Sequence, residues 1–177
     1  MRKFLIAATA AAVFISCQSP DSSRENGTDS SQELKESVVF RDYGANPLVI
    51  NIEDYTLENE EFRQAIWTGE YFQLTVMSIP VGGEVGLEIH DDIEQFLRIE
   101  HGEAEVLMGD AADQLTFTKK AGDDDVILVP AGKWHNVINV GATPLKLYSI
   151  YAKPEHPFGT VHHDKAQSDA EHDAHAH

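Results

Sequence analysis

Two short segments of the sequence carry residue types that bind divalent metals. Glu88 and His90 stand two positions apart, so on a β-strand both side chains would point to the same face. His135 follows a rigid Pro-x-Gly turn at residues 130–132. Two imidazoles and one carboxylate form the facial donor set that Fe(II) favours and that Mn(II) and Zn(II) accept. Each histidine alone is equally consistent with a surface residue, for His90, or a loop residue, for His135.

The spacing within these segments resembles the two motifs of the cupin superfamily. The first is GGEVGLEIHDDIEQFLRIEHG at residues 82–102, and the second is GDDDVILVPAGKWHNVIN at residues 122–139. The second departs from the family by two extra residues between its first glycine and its proline. The resemblance extends over roughly residues 45–158 and is similar in detail to small cupins labelled mannose-6-phosphate isomerase-like. It implies an all-β, double-stranded β-helix (jelly-roll) barrel.

The ligand positions implied by this resemblance are Glu88, His90, Gln95 and His135. The family commonly has His-x-His and a glutamate seven residues before a glycine, and here Glu88 and Gln95 occupy two of those positions. The resemblance therefore implies one divalent metal, which would be Mn, Fe, Zn or Ni. Gln95 would contribute a neutral amide oxygen, and Glu94 is the substitute ligand if the strand register is shifted by one residue. Some cupins keep the barrel without a metal.

Three functions are compatible with such a site. The first is a metal-dependent enzyme that isomerises a small polar substrate, such as a sugar or sugar acid, with Glu88 and Lys133 as catalytic residues. The alternatives are an Fe(II) or Mn(II) dioxygenase and a non-catalytic ligand-binding or sensing module. Each implies a small-molecule ligand, which Tyr148 or Tyr151 could contact through a hydroxyl group, and the chain could form a homodimer.

Short strands must position these residues. Runs rich in β-branched and aromatic residues, separated by turn residues, predict strands at 48–52, 62–67, 71–79, 87–89, 95–99, 103–108, 115–118, 126–129, 137–140 and 145–151. Helical periodicity is limited to a short turn at residues 55–61. The pattern predicts one β-domain over residues 38–158.

The amino terminus resembles a bacterial lipoprotein signal peptide over residues 1–16. A basic start is followed by an apolar run that is too short to span a membrane, and then by Cys17, the chain's only cysteine. The resemblance implies a lipid on Cys17 and a place in the cell envelope, on the periplasmic or outer-membrane face. Phe14 stands where leucine is commoner, and a plain secretory signal is the alternative. Residues 17–37 are polar and predict a flexible tether.

The charge of the chain excludes one class of partner. Thirteen basic and thirty acidic residues give a formal net charge of -17, which repels nucleic acid. Residues 159–177 form an acidic, histidine-rich tail, predicted to be disordered or weakly helical from residue 165 onward. Such a tail either binds metal weakly or is simply solvated. Residues 156–162 are predicted to pack on the barrel.

Overall fold

Nine strands and two helices occupy residues 37–175, the part of the chain that this computed structural model describes. In chain order they are α1 (Ile52–Glu58), β1 (Arg63–Thr68), β2 (Gln73–Ile79), β3 (Glu94–His101), β4 (Ala104–Gly109), β5 (Phe117–Ala121), β6 (Val126–Val129), β7 (Trp134–Asn139), β8 (Leu145–Ala152), β9 (Val161–His162) and α2 (Lys165–His175).

The strands form two antiparallel sheets. The larger has the order β6-β3-β8-β2-β1-β9, and the smaller has the order β5-β4-β7. Isolated bridges from Glu84 to Ile138 and from Glu88 to His135 attach the segment before β3 to strand β7. The many crossovers between non-consecutive strands are those of a jelly roll, and the predicted fold class is confirmed.

The inner face of the larger sheet changes from apolar to polar along its strands. On β8, buried Leu145 and Leu147 are followed by buried Ser149 and Tyr151. The neighbouring strands change at the same level, because Gln95 of β3 and Gln73 of β2 are both paired with Tyr151. The aliphatic end holds the main core: Phe62, Met77, Ile79, Val85, Leu97, Ile99, Ala104, Val106, Met108, Ile127, Val129, Val137, Leu145 and Leu147. Its burial, at about 1.5–3 kcal/mol per large aliphatic side chain, stabilises a barrel whose other end is free to be polar.

Two of the predicted strands are wrong. Residues 48–51 form no strand, and α1 begins at Ile52 because the Asn51 side chain accepts a hydrogen bond from the backbone N–H of Glu53 and caps the helix. Residues 87–89 join the sheet through one bridge at Glu88 rather than through a ladder. The other predicted strands match β1 to β8, with ends displaced by up to three residues.

The carboxyl-terminal residues add one strand and one helix to the barrel. Strand β9 pairs with β1 through Arg63 and His162, as expected for a segment that packs on the barrel. Helix α2 lies where disorder or weak helicity was predicted, and its buried Ser168 accepts a hydrogen bond from the Arg63 guanidinium. Neither helix has the length and apolar character needed to cross a membrane. The predicted signal peptide, the lipidation site at Cys17 and nearly all of the tether lie outside the described residues.

Candidate metal centre

Backbone hydrogen bonds place Glu88 beside His135. The Glu88 N–H donates to the His135 carbonyl at 3.0 Å, and the His135 N–H donates to the Glu88 carbonyl at 2.9 Å. This reciprocal pair fixes the register between the segment before β3 and strand β7. The side chains of both residues therefore enter the polar end of the barrel from opposite strands.

A glycine on each side of the site makes this approach possible. Gly86 has φ +115°, a conformation that L side chains rarely adopt, and its N–H donates to Asn136 Oδ1 at 3.1 Å. Gly132, with φ +74°, ends the Pro-x-Gly turn, and its N–H donates to the His90 carbonyl at 2.8 Å. The two turns hold His90 and strand β7 against each other.

The described residues contain one cluster of side chains that could hold a metal ion, formed by Glu88, His90 and His135. Each offers one ligand atom, and these atoms lie within 4.8 Å of one another. Glu88 Oε1 is 3.4 Å from His90 Nε2 and 3.3 Å from His135 Nε2. His90 and His135 are buried. Glu88 Oε1 and His90 Nε2 are buried atoms without a hydrogen-bond partner among the described residues.

The hydrogen bonds of His135 direct a lone pair at two oxygens. The Lys133 carbonyl can only accept, so the 2.9 Å contact with His135 requires a proton on Nδ1. In the neutral imidazole, Nε2 then carries the lone pair. That lone pair faces Gln95 Oε1 at 3.0 Å and Glu88 Oε1 at 3.3 Å. Three lone pairs that converge repel one another unless a cation lies between them, and the set therefore fits a bound metal.

Gln95 is held in this arrangement from the other side. Its Nε2 donates to Ser149 Oγ at 3.0 Å, which leaves Oε1 facing His135. The neighbouring Glu94 is exposed because adjacent residues of β3 point to opposite faces. The structure thus brings Gln95 into the cluster and leaves Glu94 outside it.

His90 is oriented by a second carboxylate. Its Nδ1 lies 3.5 Å from Glu155 Oε1, which favours a proton on Nδ1 and leaves Nε2 for a ligand. Burial lowers the pKa of His90, but the neighbouring carboxylates of Glu155 and Glu88 outweigh burial and raise it to about 9. Burial of Glu88 likewise opposes its ionisation, yet the neighbouring imidazoles of His135 and His90 outweigh it and hold the pKa of that carboxyl well below its usual range. Glu88 is therefore ionised, as a metal ligand must be.

The structure does not bring the ammonium group of Lys133 into the cluster. Its Nζ forms an ion pair with Asp110 at the surface. Lys133 contributes to the site through its backbone carbonyl, which binds His135. Arg98, the other basic residue of the motif segments, is occupied by ion pairs with Glu100 and Asp124.

A group of buried polar side chains beside the cluster was not identified from the sequence, apart from Tyr151. The rings of His90, Tyr151, His156 and His162 follow one another, with successive centroids 5.7, 5.2 and 5.9 Å apart. Arg63 is 1 % exposed and lies close enough to lower the pKa of Glu88 by its charge. The sequence places His156 and His162 in a terminal segment that packs on the barrel, and nothing in their spacing indicates that they line the interior of the barrel.

Tyr151 and His156 are the two members of the ring series that stay uncharged. Burial raises the pKa of Tyr151 to about 12, so its hydroxyl keeps its proton. Burial and then the charge of Arg63 lower the pKa of His156 to about 2, although Glu171 Oε1 lies 3.6 Å from its Nδ1. The neutral hydroxyl and imidazole can each donate one directed hydrogen bond.

A cavity of about 530 Å³ lies beside the cluster and reaches Glu88. It is bounded by residues of the segment before β3, by Trp134 and by helix α2, and its lining includes both Glu88 and Ser168. Its volume lies within the range of small-molecule sites, about 300–1,000 Å³. A small ligand therefore has a route to Glu88.

Comparison with known proteins identifies the fold family of this site. Residues 75–151 match the family model described as Cupin domain. The Bacillus subtilis protein named "Uncharacterized protein YrkC" is 55% identical over 137 residues, which are 77% of this chain and 74% of that protein. The chain belongs to the cupin superfamily. A second relative of this cupin, "Uncharacterized protein L612" of Acanthamoeba polyphaga mimivirus, is 38% identical over 122 residues, which are 68% of this chain and 74% of that protein.

Solved structures agree with the assignment. The crystal structure of BH2720 from Bacillus halodurans is 55% identical, with a TM-score of 0.73, and the match covers 73% of this cupin and 98% of that chain. TT1209 from Thermus thermophilus shares the fold alone. It is 17% identical, with a TM-score of 0.51, and the match covers 60% of this cupin and 98% of that chain.

The residues present fit a divalent metal. Glu88, His90 and His135 supply a carboxylate and two imidazoles, and Gln95 adds an amide oxygen. Hydrogen bonds from outside the cluster orient both imidazoles and the amide, as is usual for metal ligands.

Proposed function

We propose that this cupin is a metal-dependent enzyme that isomerises a small polar substrate, such as a sugar or a sugar acid. The observation that supports the proposal is the convergence of the side chains of Glu88, His90, His135 and Gln95. Glu88 also lines a cavity of small-molecule size. A resident divalent cation would act as a Lewis acid toward a carbonyl or hydroxyl oxygen of the substrate.

The chain's own residues would divide the remaining work. The four ligands hold the cation, and Glu155 orients His90. The low pKa of Glu88 suits this carboxylate to binding metal and weakens it as a base toward a carbon-bound proton. The Tyr151 hydroxyl, which is protonated and lies in ring contact with His90, is placed to donate to an oxygen that gains charge.

Two measurements on the purified full-length chain test this function. Elemental analysis after dialysis should give one tightly bound Mn, Zn, Ni or Fe per chain. Incubation of the metal-loaded protein with small sugars and sugar acids in D₂O should place deuterium on the carbon next to the carbonyl, because isomerisation by proton transfer exchanges that proton with solvent. Oxygen consumption should not accompany the reaction.

The dioxygenase is the second candidate, and the donor set favours it. Two histidines and one carboxylate with further positions left for substrate and oxygen are the ligands of non-haem Fe(II) oxygenases. Bound iron together with oxygen uptake that depends on an organic substrate would support this function and contradict isomerisation. A chain that retains no metal would contradict both and leave a ligand-binding module.

A further inference from the structure

The guanidinium of Arg63 is a buried positive charge to which the proposed function gives no role. The side chain is 1 % exposed, and its hydrogen-bond partner is the neutral hydroxyl of Ser168. Cζ lies 5.6 Å from the centroid of the Phe62 ring, and Nε is buried without a partner among the described residues. No carboxylate among the described side chains forms an ion pair with it. A buried cation without a counter-ion is costly, and proteins retain one chiefly where an anion binds.

Other unpartnered donors belong to the same interior. Tyr151 Oη, His156 Nε2 and Thr75 Oγ1 are buried atoms that no described residue satisfies. Arg63 is paired with His162 across strands β1 and β9, and the ring series of His162, His156 and Tyr151 continues from there with centroids 5.9 and 5.2 Å apart. Buried polar groups in folded proteins are nearly always hydrogen-bonded, so several such atoms at one place indicate a polar ligand.

The neighbouring cluster determines the charge of that ligand. Tyr151 is in ring contact with His90, and the charge of Arg63 also acts on Glu88. The guanidinium of Arg63 and a bound divalent cation are the two cationic groups that a ligand between them would contact, and both favour an anion there. The carboxylates of Glu155 and Glu171 pair with histidines of the same interior and offset part of this positive charge.

We propose that Arg63, Tyr151 and His156 form a subsite that binds the carboxylate of a small organic acid whose neighbouring oxygen faces the Glu88–His90–His135 cluster. The subsite rests on the proposed function because it names the class of substrate that the same site would bind. The guanidinium supplies two parallel donors that match the two oxygens of a carboxylate, and the hydroxyl and imidazole fix its orientation. The cavity of about 530 Å³ is lined by Glu88 and by Ser168, the partner of Arg63, and so it lies beside both the cluster and the subsite.

Glycolate is a suitable probe because it carries a carboxylate beside one hydroxyl, and glycolamide is its neutral counterpart. Isothermal titration of full-length protein, both loaded with Mn(II) and stripped of metal, should show that glycolate binds and glycolamide does not. Arg63→Gln should weaken glycolate binding roughly 100-fold, and Tyr151→Phe should weaken it about 10-fold, as expected for hydrogen bonds to a charged group. Arg63→Lys keeps the positive charge but not the two parallel donors, and it should give an intermediate loss of glycolate affinity.

A matched arginine control separates the subsite from general charge. Arg98→Gln removes a guanidinium that is already paired with Glu100 and Asp124, and it should leave glycolate affinity unchanged. Circular dichroism tests whether Arg63→Gln is folded. If Arg63→Gln does not fold, Tyr151→Phe keeps the proposal falsifiable.

The remaining outcomes distinguish the two proposals. Glycolate binding that depends on Arg63 in a chain that retains no metal would support the subsite and defeat the proposed function. Glycolate binding only to the Mn(II) form, with Arg63→Gln and Tyr151→Phe equal to wild type, would overturn the subsite and leave the metal centre intact. Absence of glycolate binding, or Arg63-dependent binding of inorganic phosphate in its place, would overturn the assignment to a carboxylate.

Discussion

At the scale of single residues, the candidate centre depends on which nitrogen of each histidine carries the proton. The Lys133 carbonyl fixes His135 and the Glu155 carboxylate fixes His90, and in both rings Nε2 faces Glu88. The neutral His135 imidazole then presents a lone pair to the oxygens of Gln95 and Glu88, and these three atoms repel one another without a cation. The metal would relieve this repulsion, so metal binding and local order should be coupled.

Replacement of His135 by alanine should abolish stoichiometric metal binding. The variant removes a nitrogen that faces both Glu88 and Gln95 and leaves too few donors to hold the ion. Metal content per chain, measured after dialysis against a weak chelator, checks this. The control is His163→Ala, which removes a histidine that is exposed and bound to Glu61. Equal metal content in the two variants would show that His135 is not a ligand.

Gln95→Glu should tighten metal binding about tenfold and lower the melting temperature of the metal-free protein. A carboxylate is a stronger donor than an amide oxygen, but without the ion it adds a second negative charge beside Glu88. Isothermal titration and thermal melting of the same sample measure both effects. The control is the adjacent Glu94, whose side chain is exposed, and Glu94→Gln should change neither quantity. Weaker metal binding by Gln95→Glu would show that the Gln95 amide is not a ligand.

The sequence predicts the ligands but not the residues around them. Glu88, His90, Gln95 and His135 belong to motifs with fixed spacing, and strand alternation alone separates Gln95 from Glu94. Arg63 lies between Phe62 and Gln64, and arginine is a residue type that is mostly exposed. Its burial depends on contacts with Ser168, more than one hundred residues away in the chain, which no local pattern reveals.

At the scale of elements, the strands are predictable and the helix at the carboxyl terminus is not. Alternating β-branched and aromatic residues predict β1 to β8 because their side chains fill the core. Helix α2 has a weakly helical composition, and its order comes from tertiary contacts of Ser168 and Glu171 with Arg63 and His162. Since helices of this length are marginal in isolation, such contacts decide whether one forms.

Ser168→Ala should therefore destabilise the protein by about 1–3 kcal/mol, because it leaves the buried Arg63 guanidinium without its hydroxyl acceptor. Urea denaturation of the metal-free protein gives the change in unfolding free energy. The next residue provides the control. Asp169 is exposed and pairs with Lys165 four residues earlier, so Asp169→Asn should cost no more than about 0.5 kcal/mol. Equal losses in the two variants would mean that α2 is not stabilised through Arg63.

At the scale of the whole molecule, charge limits how the chain could be held at a membrane. The formal net charge of -17 repels anionic headgroups, and neither described helix could span a bilayer. A covalent lipid on Cys17, which the resemblance of residues 1–16 implies, would attach the chain without attraction to those headgroups.

Replacement of Cys17 by alanine should move the protein from the membrane fraction to the soluble fraction when it is expressed in a bacterium. The acyl chains of a lipoprotein supply the membrane affinity, at about 0.8 kcal/mol per buried CH₂ group. Phase separation in Triton X-114 measures the effect, and mass spectrometry of the parent should show the added lipid on the peptide that begins at residue 17. Ser19→Ala, two residues further along the chain, is the matched control and should remain in the detergent phase. If Cys17→Ala partitions into detergent as firmly as the parent, the segment before it is not a lipoprotein signal. The metal centre would be unaffected by that result, since its ligands lie within residues 88–135.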